Sequence, residues 1–291
     1  MPSKALRVSR VPVCAVAGLL AATVLTGCGL DGGDGGKDAA RPHDENRQQS
    51  PGQVVRATNV KTSEAGSARV RITTTASAKG KSETVTGKGV LDFRGGESRM
   101  TLGQAGQRLE QRVVDRTLYQ KPPKGEGGLP DGKSWMKIDL ERLRTSGASA
   151  GTQVSDPADS FAYSKSLSGQ DVKKVGEERV GGVRTTHYRV AVDIDKLAKG
   201  DAEQKKRLHE QLGDTVPMDL WIDGKGVTRR QQVEMGVRTR AKGEASGSAE
   251  VKAKVVMDFS DFGTAVDVDA PAASDTVDVT DKVVKESHRK A

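Results

Sequence analysis

Two short motifs carry side chains that could take part in covalent chemistry. Residues 25–28 read LTGC and place Cys28 directly after an apolar segment. A cysteine in that position accepts the diacylglyceryl group of exported bacterial lipoproteins, and two acyl chains are enough for stable membrane anchoring. Residues 147–151 read GASAG and match the G-x-S-x-G pattern, which exposes a nucleophilic serine, here Ser149. The first motif predicts lipidation, and the second would predict hydrolysis.

The residues before Cys28 have the organisation of an export signal. Lys4, Arg7 and Arg10 form a positive region, and residues 11–24 are apolar and rich in alanine. This length is typical of a signal peptide and short for a transmembrane helix. The alternative is an uncleaved anchor in which the cysteine occurs by chance. We predict a signal peptide at 1–27, cleavage before Cys28, and a protein held by its lipid at the outer face of the bacterial cytoplasmic membrane.

The serine motif lacks the context that a hydrolase needs. Ser149 lies in a polar stretch that no hydrophobic strand precedes, whereas a nucleophile elbow joins a strand to a helix. Asp193 and His209 follow in the chain order of a hydrolase triad. The patterns around them favour a helix cap for Asp193 and a charged helix face for His209. A protein without catalytic activity is therefore favoured, and a hydrolase that uses Ser149 stays as an alternative.

No metal, cofactor or nucleotide site is indicated by the remaining polar residues. The four histidines are dispersed, at positions 43, 187, 209 and 288, and no metal-ligand spacing occurs. The glycines of residues 224–226, GKG, fit a hairpin turn better than a phosphate loop. His187 and Trp221 fall on the more polar faces of their strands, so we expect them to pack at the second face or rim of a sheet.

The chain is basic, with a formal net charge of +8. This falls to +5 without Lys4, Arg7 and Arg10, because residues 1–27 contain no acid. Basic residues are scattered and no aromatic residues are interleaved to stack bases, so export and pattern together argue against nucleic acid. A weak attraction to anionic lipid headgroups near the anchor is an expected effect of this charge.

Strands dominate the predicted body of the protein. From residue 68 onward apolar and polar residues alternate with period two. Strands are predicted at 68–74 and 84–93, then near 97–103, 107–115, 116–121, 134–140, 171–180, 183–193, 216–223, 226–238 and 248–259. Helical patterns occur at 53–65, 156–168 and 194–212, the last with Gly200 inside it. The predicted fold is α+β: a large curved antiparallel meander of about ten or eleven strands, an incomplete barrel wrapped over a few helices.

Domain boundaries follow from composition. Residues 28–52 are rich in glycine and polar residues and predict a flexible tether from the lipidated cysteine. Residues 53–262 form the predicted folded domain. Residues 263–291 turn acidic and predict a partly disordered C-terminal tail. Only two Trp, three Tyr and four Phe occur in the chain, so aliphatic residues must build most of the core.

Three segments carry a resemblance to a known family. Residues 175–190 read VGEERVGGVRTTHYRV, residues 216–223 read VPMDLWID, and residues 226–230 read GVTRR. Over residues 53–262 the chain resembles the LppX/LprA/LprF/LprG-type lipoproteins of actinobacteria. The resemblance implies the fold of the LolA and LolB carriers, with an apolar cavity between sheet and helices. It also implies binding or carriage of lipids or lipidated glycans, with a membrane transporter or acceptor protein as a further candidate partner.

An apolar cavity of this kind would be lined by the more hydrophobic strand faces. The candidate lining residues are Val70, Ile72, Leu91, Val190, Met218, Leu220 and Ile222. A register shift of one residue would exchange these faces. The alternative function is a non-enzymatic sensor or interaction module, which would have a cavity filled by side chains and an exposed apolar patch for a partner protein.

Overall fold

The computed structural model describes residues 49–123, 129–146, 171–197, 202–240 and 248–290. Within these ranges, twelve strands form one open, curved sheet. The strands are β1 (Ser67–Ala78), β2 (Lys81–Asp92), β3 (Ser98–Gln104), β4 (Gln107–Val114), β5 (Thr117–Lys121), β6 (Trp135–Asp139), β7 (Val172–Val180), β8 (Val183–Asp193), β9 (Thr215–Asp223), β10 (Thr228–Arg240), β11 (Ser248–Ser260) and β12 (Thr276–Asp278). The predicted α+β class with an unclosed sheet is confirmed.

The sheet consists of two antiparallel meanders joined in its middle. The strand order is β12-β6-β5-β4-β3-β2-β1-β11-β10-β9-β8-β7. β1 pairs with β11, with Ile72 opposite Met257, and this long-range ladder joins the two halves. The single sequential meander predicted from the sequence is therefore wrong, because β6 and β7 lie near opposite edges. The short β12 pairs with β6 in parallel, which makes the sheet mixed.

Five α-helices lie in the described residues: α1 (Pro51–Glu64), α2 (Leu140–Thr145), α3 (Ile194–Leu197), α4 (Ala202–Leu212) and α5 (Thr280–Lys290). α1 begins earlier than predicted because Ser50 and Gln53 form a capping box and Pro51 occupies the first turn. The predicted 194–212 helix is found as α3 and α4. The predicted 156–168 helix lies outside the described residues. None of the helices described is long and apolar enough to cross a bilayer.

One face of the sheet, here called the inner face, carries three apolar clusters. The helix-covered cluster consists of Val54, Val55, Val172, Tyr188, Val190, Val192, Ile194, Val216, Met218, Leu220, Ile222 and Val233, with Leu208, Leu212 and Met235 packed against it. The central cluster consists of Ala68, Val70, Leu91, Met100, Met257 and Phe259, with Ile72, Phe93, Leu102, Val255 and Phe262 packed against it. The C-terminal cluster consists of Val113, Leu118, Ile138 and Leu143, with Leu140, Val279, Val283 and Val284 packed against it.

The chain after residue 262 has more regular structure than the predicted partly disordered tail. A single 3-10 turn at Ala273–Asp275 leads into β12, and α5 follows. Val283 and Val284 of α5 pack against the C-terminal cluster, and Arg142 forms an ion pair with Asp281. Burial acts to raise the pKa of Asp278, but hydrogen bonds from Thr280 and the nearby Lys137 ammonium outweigh it and hold that pKa below its ordinary value.

Candidate functional site

The two motifs that could carry covalent chemistry, at Cys28 and Ser149, lie outside the described residues. Their proposed partners are described and do not form a triad. The Asp193 carboxylate accepts a hydrogen bond from the Asp195 backbone N–H at 2.8 Å, as a helix cap does. His209 lies between two other carboxylates, with Nε2 3.3 Å from Asp195 and Nδ1 3.0 Å from Asp214. Hydrogen bonds to Asp195 and then Asp214 raise the pKa of His209.

Four of the seven predicted cavity residues lie in the helix-covered cluster. Val190, Met218 and Leu220 are fully buried there, and Ile222 is 1% exposed. α1 packs over them through Val54 and Val55, which are equally buried. These side chains therefore form close-packed core in this structure, beneath α1 and beside Ile194 of α3.

The other three predicted residues lie in the central cluster, and their surroundings differ. Val70 and Leu91 are buried, whereas Ile72 is only half-buried. The strand register places Ile72 in one row with Gly87, Leu102 and Leu109, and places Val255 beside it in the next row with Thr74 and Val85.

We call the five half-buried apolar residues of these rows the central surface: Ile72, Val85, Leu102, Leu109 and Val255. Every member of the central cluster comes from β1, β2, β3 and β11 or from the turns after β2 and β11. No helix of the described residues belongs to it. The central surface is thus an apolar part of the inner face between two regions that helices cover.

Two glycines allow the strands beneath the central surface to pack closely. A Cβ atom added to Gly89 would lie 1.9 Å from the Arg99 carbonyl oxygen and 2.6 Å from Met100 Sδ. A Cβ atom on Gly87 would lie 2.5 Å from a methyl group of Leu102. The Met100 and Leu102 side chains therefore occupy the space above these glycines, so that the apolar surface has no gap there.

A cavity of about 430 Å³ opens where β9 and β10 separate. Leu212, Val216 and Met235 contribute apolar lining, and Thr75, Lys252 and Lys254 contribute polar lining. None of the seven predicted cavity residues lines it. The sequence pattern could not place this cavity, because its position depends on where the ladder between two strands ends.

The opposite, outer face carries a polar network around Trp221. His187 stacks on the Trp221 ring at 4.3 Å, and its Nε2 lies 2.7 Å from Asp219 Oδ1. Arg189 donates to the same carboxylate at 3.0 Å, and the Trp221 indole N–H donates to Glu178. His187 and Trp221 therefore pack on the second face of the sheet, as the sequence predicted. Their polar atoms are satisfied within the network.

The GKG turn holds a helix in place. The Asp223 carboxylate accepts hydrogen bonds from the backbone N–H groups of Lys225 and Val227 and from Arg229 Nε at 2.8 Å. The Thr58 hydroxyl of α1 donates to the Gly226 carbonyl oxygen at 2.6 Å. The predicted hairpin turn is confirmed, and its polar groups are used to dock α1. Within the described residues, no group of three or more His, Cys, Asp and Glu side chains could hold a metal ion.

Comparisons with known proteins return relatives from Streptomyces. The chain is 30% identical over 253 residues to an uncharacterised 31.2 kDa protein of Streptomyces griseus from the rplA-rplJ intergenic region, covering 79% of both chains. It is 29% identical over 231 residues to a proposed lipoprotein of Streptomyces coelicolor, covering 75% of this chain and 71% of the other. No family model matches the chain.

Two solved structures among the matches are mycobacterial proteins, and the first of them, LppX, is described as a lipoprotein. LppX of Mycobacterium tuberculosis is 16% identical, with a TM-score of 0.42, and the match covers 75% of this chain and 99% of that chain. LprF of Mycobacterium bovis is 14% identical, with a TM-score of 0.41, and the match covers 77% and 100%. Both names occur in the group of lipoproteins that the sequence resembles.

Proposed function

The chain belongs to the family of the 31.2 kDa Streptomyces griseus protein, and we propose that it is an extracytoplasmic, lipid-anchored protein that binds a lipid without catalysing a reaction. The lipid anchor is proposed at Cys28, which follows an export signal and precedes a glycine-rich tether. The relative from Streptomyces coelicolor is also described as a lipoprotein, which supports this assignment. The anchor holds the folded domain at the outer face of the cytoplasmic membrane, where lipids are within its reach.

The central surface is the observation that carries the lipid-binding proposal. Ile72, Leu102 and Val255 form an apolar area that no described helix covers. Burial of such an area is favourable by about 25 cal/mol per Å² of apolar surface removed from water. An acyl chain supplies apolar surface without hydrogen-bonding groups that would need partners, and it is therefore a suitable occupant. The packed helix-covered cluster provides the rigid frame beside it.

Anchoring is tested with Cys28→Ser. We expect the parent protein to remain with the membrane fraction and to carry a diacylglyceryl group on Cys28, detected by mass spectrometry of the N-terminal peptide. The serine hydroxyl of the variant cannot form the thioether, so this variant should lack the modification and leave the membrane after the signal is removed. A fully unmodified Cys28 in the parent protein would refute the anchor.

Lipid binding is tested on the anchor-free protein, defined as residues 28–291 with Cys28→Ser. We expect native mass spectrometry after expression in bacteria to show a retained lipid, which extraction then identifies. Val255→Glu should lower retention roughly tenfold or more, because a carboxylate under an acyl chain loses its hydration. Val256→Glu is the matched control: Val256 is also half-buried, but it lies on the outer face between Thr73 and Gln232.

The two valine variants separate a specific loss from unfolding. Both should keep a cooperative thermal transition, and only Val255→Glu should lose the lipid. Equal loss in both variants, with the fold intact, would show that the central surface is not the binding site. An anchor-free protein that neither retains nor takes up lipid would instead favour the alternative function, a sensor that binds a partner protein at the membrane.

A further inference from the structure

The ladder between β9 and β10 ends before the strands do. Its last pair on this side is Val233 with Met218, although β9 begins at Thr215 and β10 continues to Arg240 in its pairing with β11. Pro217 is the next residue of β9, and proline has no backbone N–H to donate to a ladder. The two strands therefore separate here. We call this place, formed by residues 215–217 and 234–236, the fork.

The cavity at the fork has an apolar and a basic side. Leu212, Val216 and Met235 belong to or pack against the helix-covered cluster, so this side of the cavity continues the core. Lys252, Lys254 and Thr75 also line it, and the strand register places these three on the outer face. The lining thus combines side chains from both faces of the sheet, and its two sides differ in polarity.

The basic side has one ammonium group more than it has carboxylates among the described residues. Lys254 pairs with Glu234, with Nζ 3.0 Å from Oε1. Lys252 stands directly between Gly236 of β10 and Ser77 of β1 in the register, and neither neighbour is charged. Lys252 is exposed, and it has no ion pair with a carboxylate among the residues whose side chains the structure describes, which do not include Glu250. Lys252 lines the cavity and is exposed to solvent, so an anion at the mouth of the cavity can approach its ammonium group.

We propose that the fork binds an amphiphile that has one acyl chain and an anionic headgroup, with the headgroup at Lys252 and the chain along Leu212 and Met235. Small-molecule sites span roughly 300–1,000 Å³, so a cavity of about 430 Å³ suits a single chain better than a lipid with several. This inference rests on the proposed lipid-binding function and specifies its ligand class. A carboxylate and a phosphate monoester or diester share the chemistry that Lys252 recognises.

The fork and the central surface lie close together along one strand. Ala253 lines the cavity, and Val255 of the central surface is two residues further along β11. Two residues of a strand span about 6.7 Å. An acyl chain longer than the cavity can therefore extend from the fork onto the central surface while its headgroup stays at the mouth.

The experiment measures binding of three ligands with the same acyl chain to the anchor-free protein by isothermal titration calorimetry below their critical micelle concentrations. Palmitate and palmitoyl lysophosphatidylglycerol are anionic, and monopalmitoylglycerol is neutral. We expect both anions to bind at one per chain and the neutral ester to bind about tenfold more weakly, as for one lost charge-assisted hydrogen bond. Lys252→Ala should weaken the binding of both anions by about the same factor and leave the affinity for the neutral ester unchanged.

Two further variants keep the result specific. Lys88→Ala, an exposed lysine on the outer face of β2, is the matched control and should change nothing. Ala253→Leu should weaken all three ligands by filling the cavity. If the three ligands bind equally well whatever their headgroup charge, and Lys252→Ala does not change their affinity, the fork site is overturned and the proposed lipid binding is left intact. If none of the three ligands binds and the protein isolated from bacteria retains no lipid, both the fork site and the proposed lipid binding are overturned. Tighter binding of one anion would identify the headgroup as a carboxylate or a phosphate.

Discussion

Truncation of Leu220 distinguishes a packed core from a ligand cavity. The sequence placed Leu220 among the residues of a lipid cavity, whereas the structure buries it completely beneath α1. Leu220→Ala removes three carbon atoms, and at about 0.8 kcal/mol for each buried methylene the transfer cost alone is about 2.4 kcal/mol. The space left behind adds to this, so we expect a total loss of about 2–5 kcal/mol in the free energy of unfolding.

This loss should be visible in two measurements on the anchor-free protein. Urea unfolding, monitored by tryptophan fluorescence, gives the free energy of unfolding. The thermal midpoint should fall by roughly 4–20 °C, because each kcal/mol moves it by about 2–4 °C in a domain of this size. Val175→Ala is the control: Val175 is 52% exposed on β7, and its truncation should cost about 0.5 kcal/mol or less.

The lipid content of the same samples completes the test. If Leu220 is part of a packed core, Leu220→Ala lowers stability and leaves the amount of lipid per protein unchanged while the protein stays folded. The reasoning would be refuted by a variant that unfolds like the Val175→Ala control and takes up more or larger lipid, because a side chain that lines an open cavity has few contacts to lose.

Two further predictions concern the sheet and the C-terminal helix. Gly89→Ala should lower the free energy of unfolding by about 1–3 kcal/mol, since its Cβ atom would lie 1.9 Å from the Arg99 carbonyl oxygen. Gly103→Ala is the control: the nearest atom to its Cβ would lie 3.6 Å away, so its thermal midpoint should stay close to that of the parent protein. The pKa of Asp278 is lowered in the folded state, so its contribution to stability is present above the ordinary pKa near 3.8 and is lost as the pH falls through the folded value. Urea midpoints measured from neutral to acidic pH should fall less steeply for Asp278→Asn than for the parent protein, and identical slopes would contradict this assignment.

Sequence alternation was sufficient to predict most strands, because it is a local property. The predicted strands at 183–193 and 248–259 correspond to β8 and β11, and each of the other nine predicted strands is also found. Alternation also assigned the faces correctly, with Met218 inside and Trp221 outside. It did not predict β12, α2 and α5. These elements are short, and contacts with distant residues such as Arg142 with Asp281 help to hold them in place.

The candidate sites were predictable only in part. The seven apolar residues chosen from the sequence do lie on the inner face, yet the pattern could not separate Leu220, which α1 covers, from Ile72, which stays half-buried. An apolar side chain follows the same alternation whether a helix, a ligand or water lies above it. The proposed site at Lys252 has no signal in the sequence, because a lysine in a strand is ordinarily a solvated residue on the polar face.

The sequence by itself determined the local features of the folded part of this protein: the period of its strands, the turn at Asp223 and the cap of α1. It also predicts the export signal before Cys28. Each of these depends on residues within a few positions of one another. Only the tertiary structure decided that β1 pairs with β11, that the fork opens beyond Val233, and which part of the apolar inner face no described helix covers. Those features depend on the relative positions of segments far apart in the chain, and the local pattern is the same for many such arrangements.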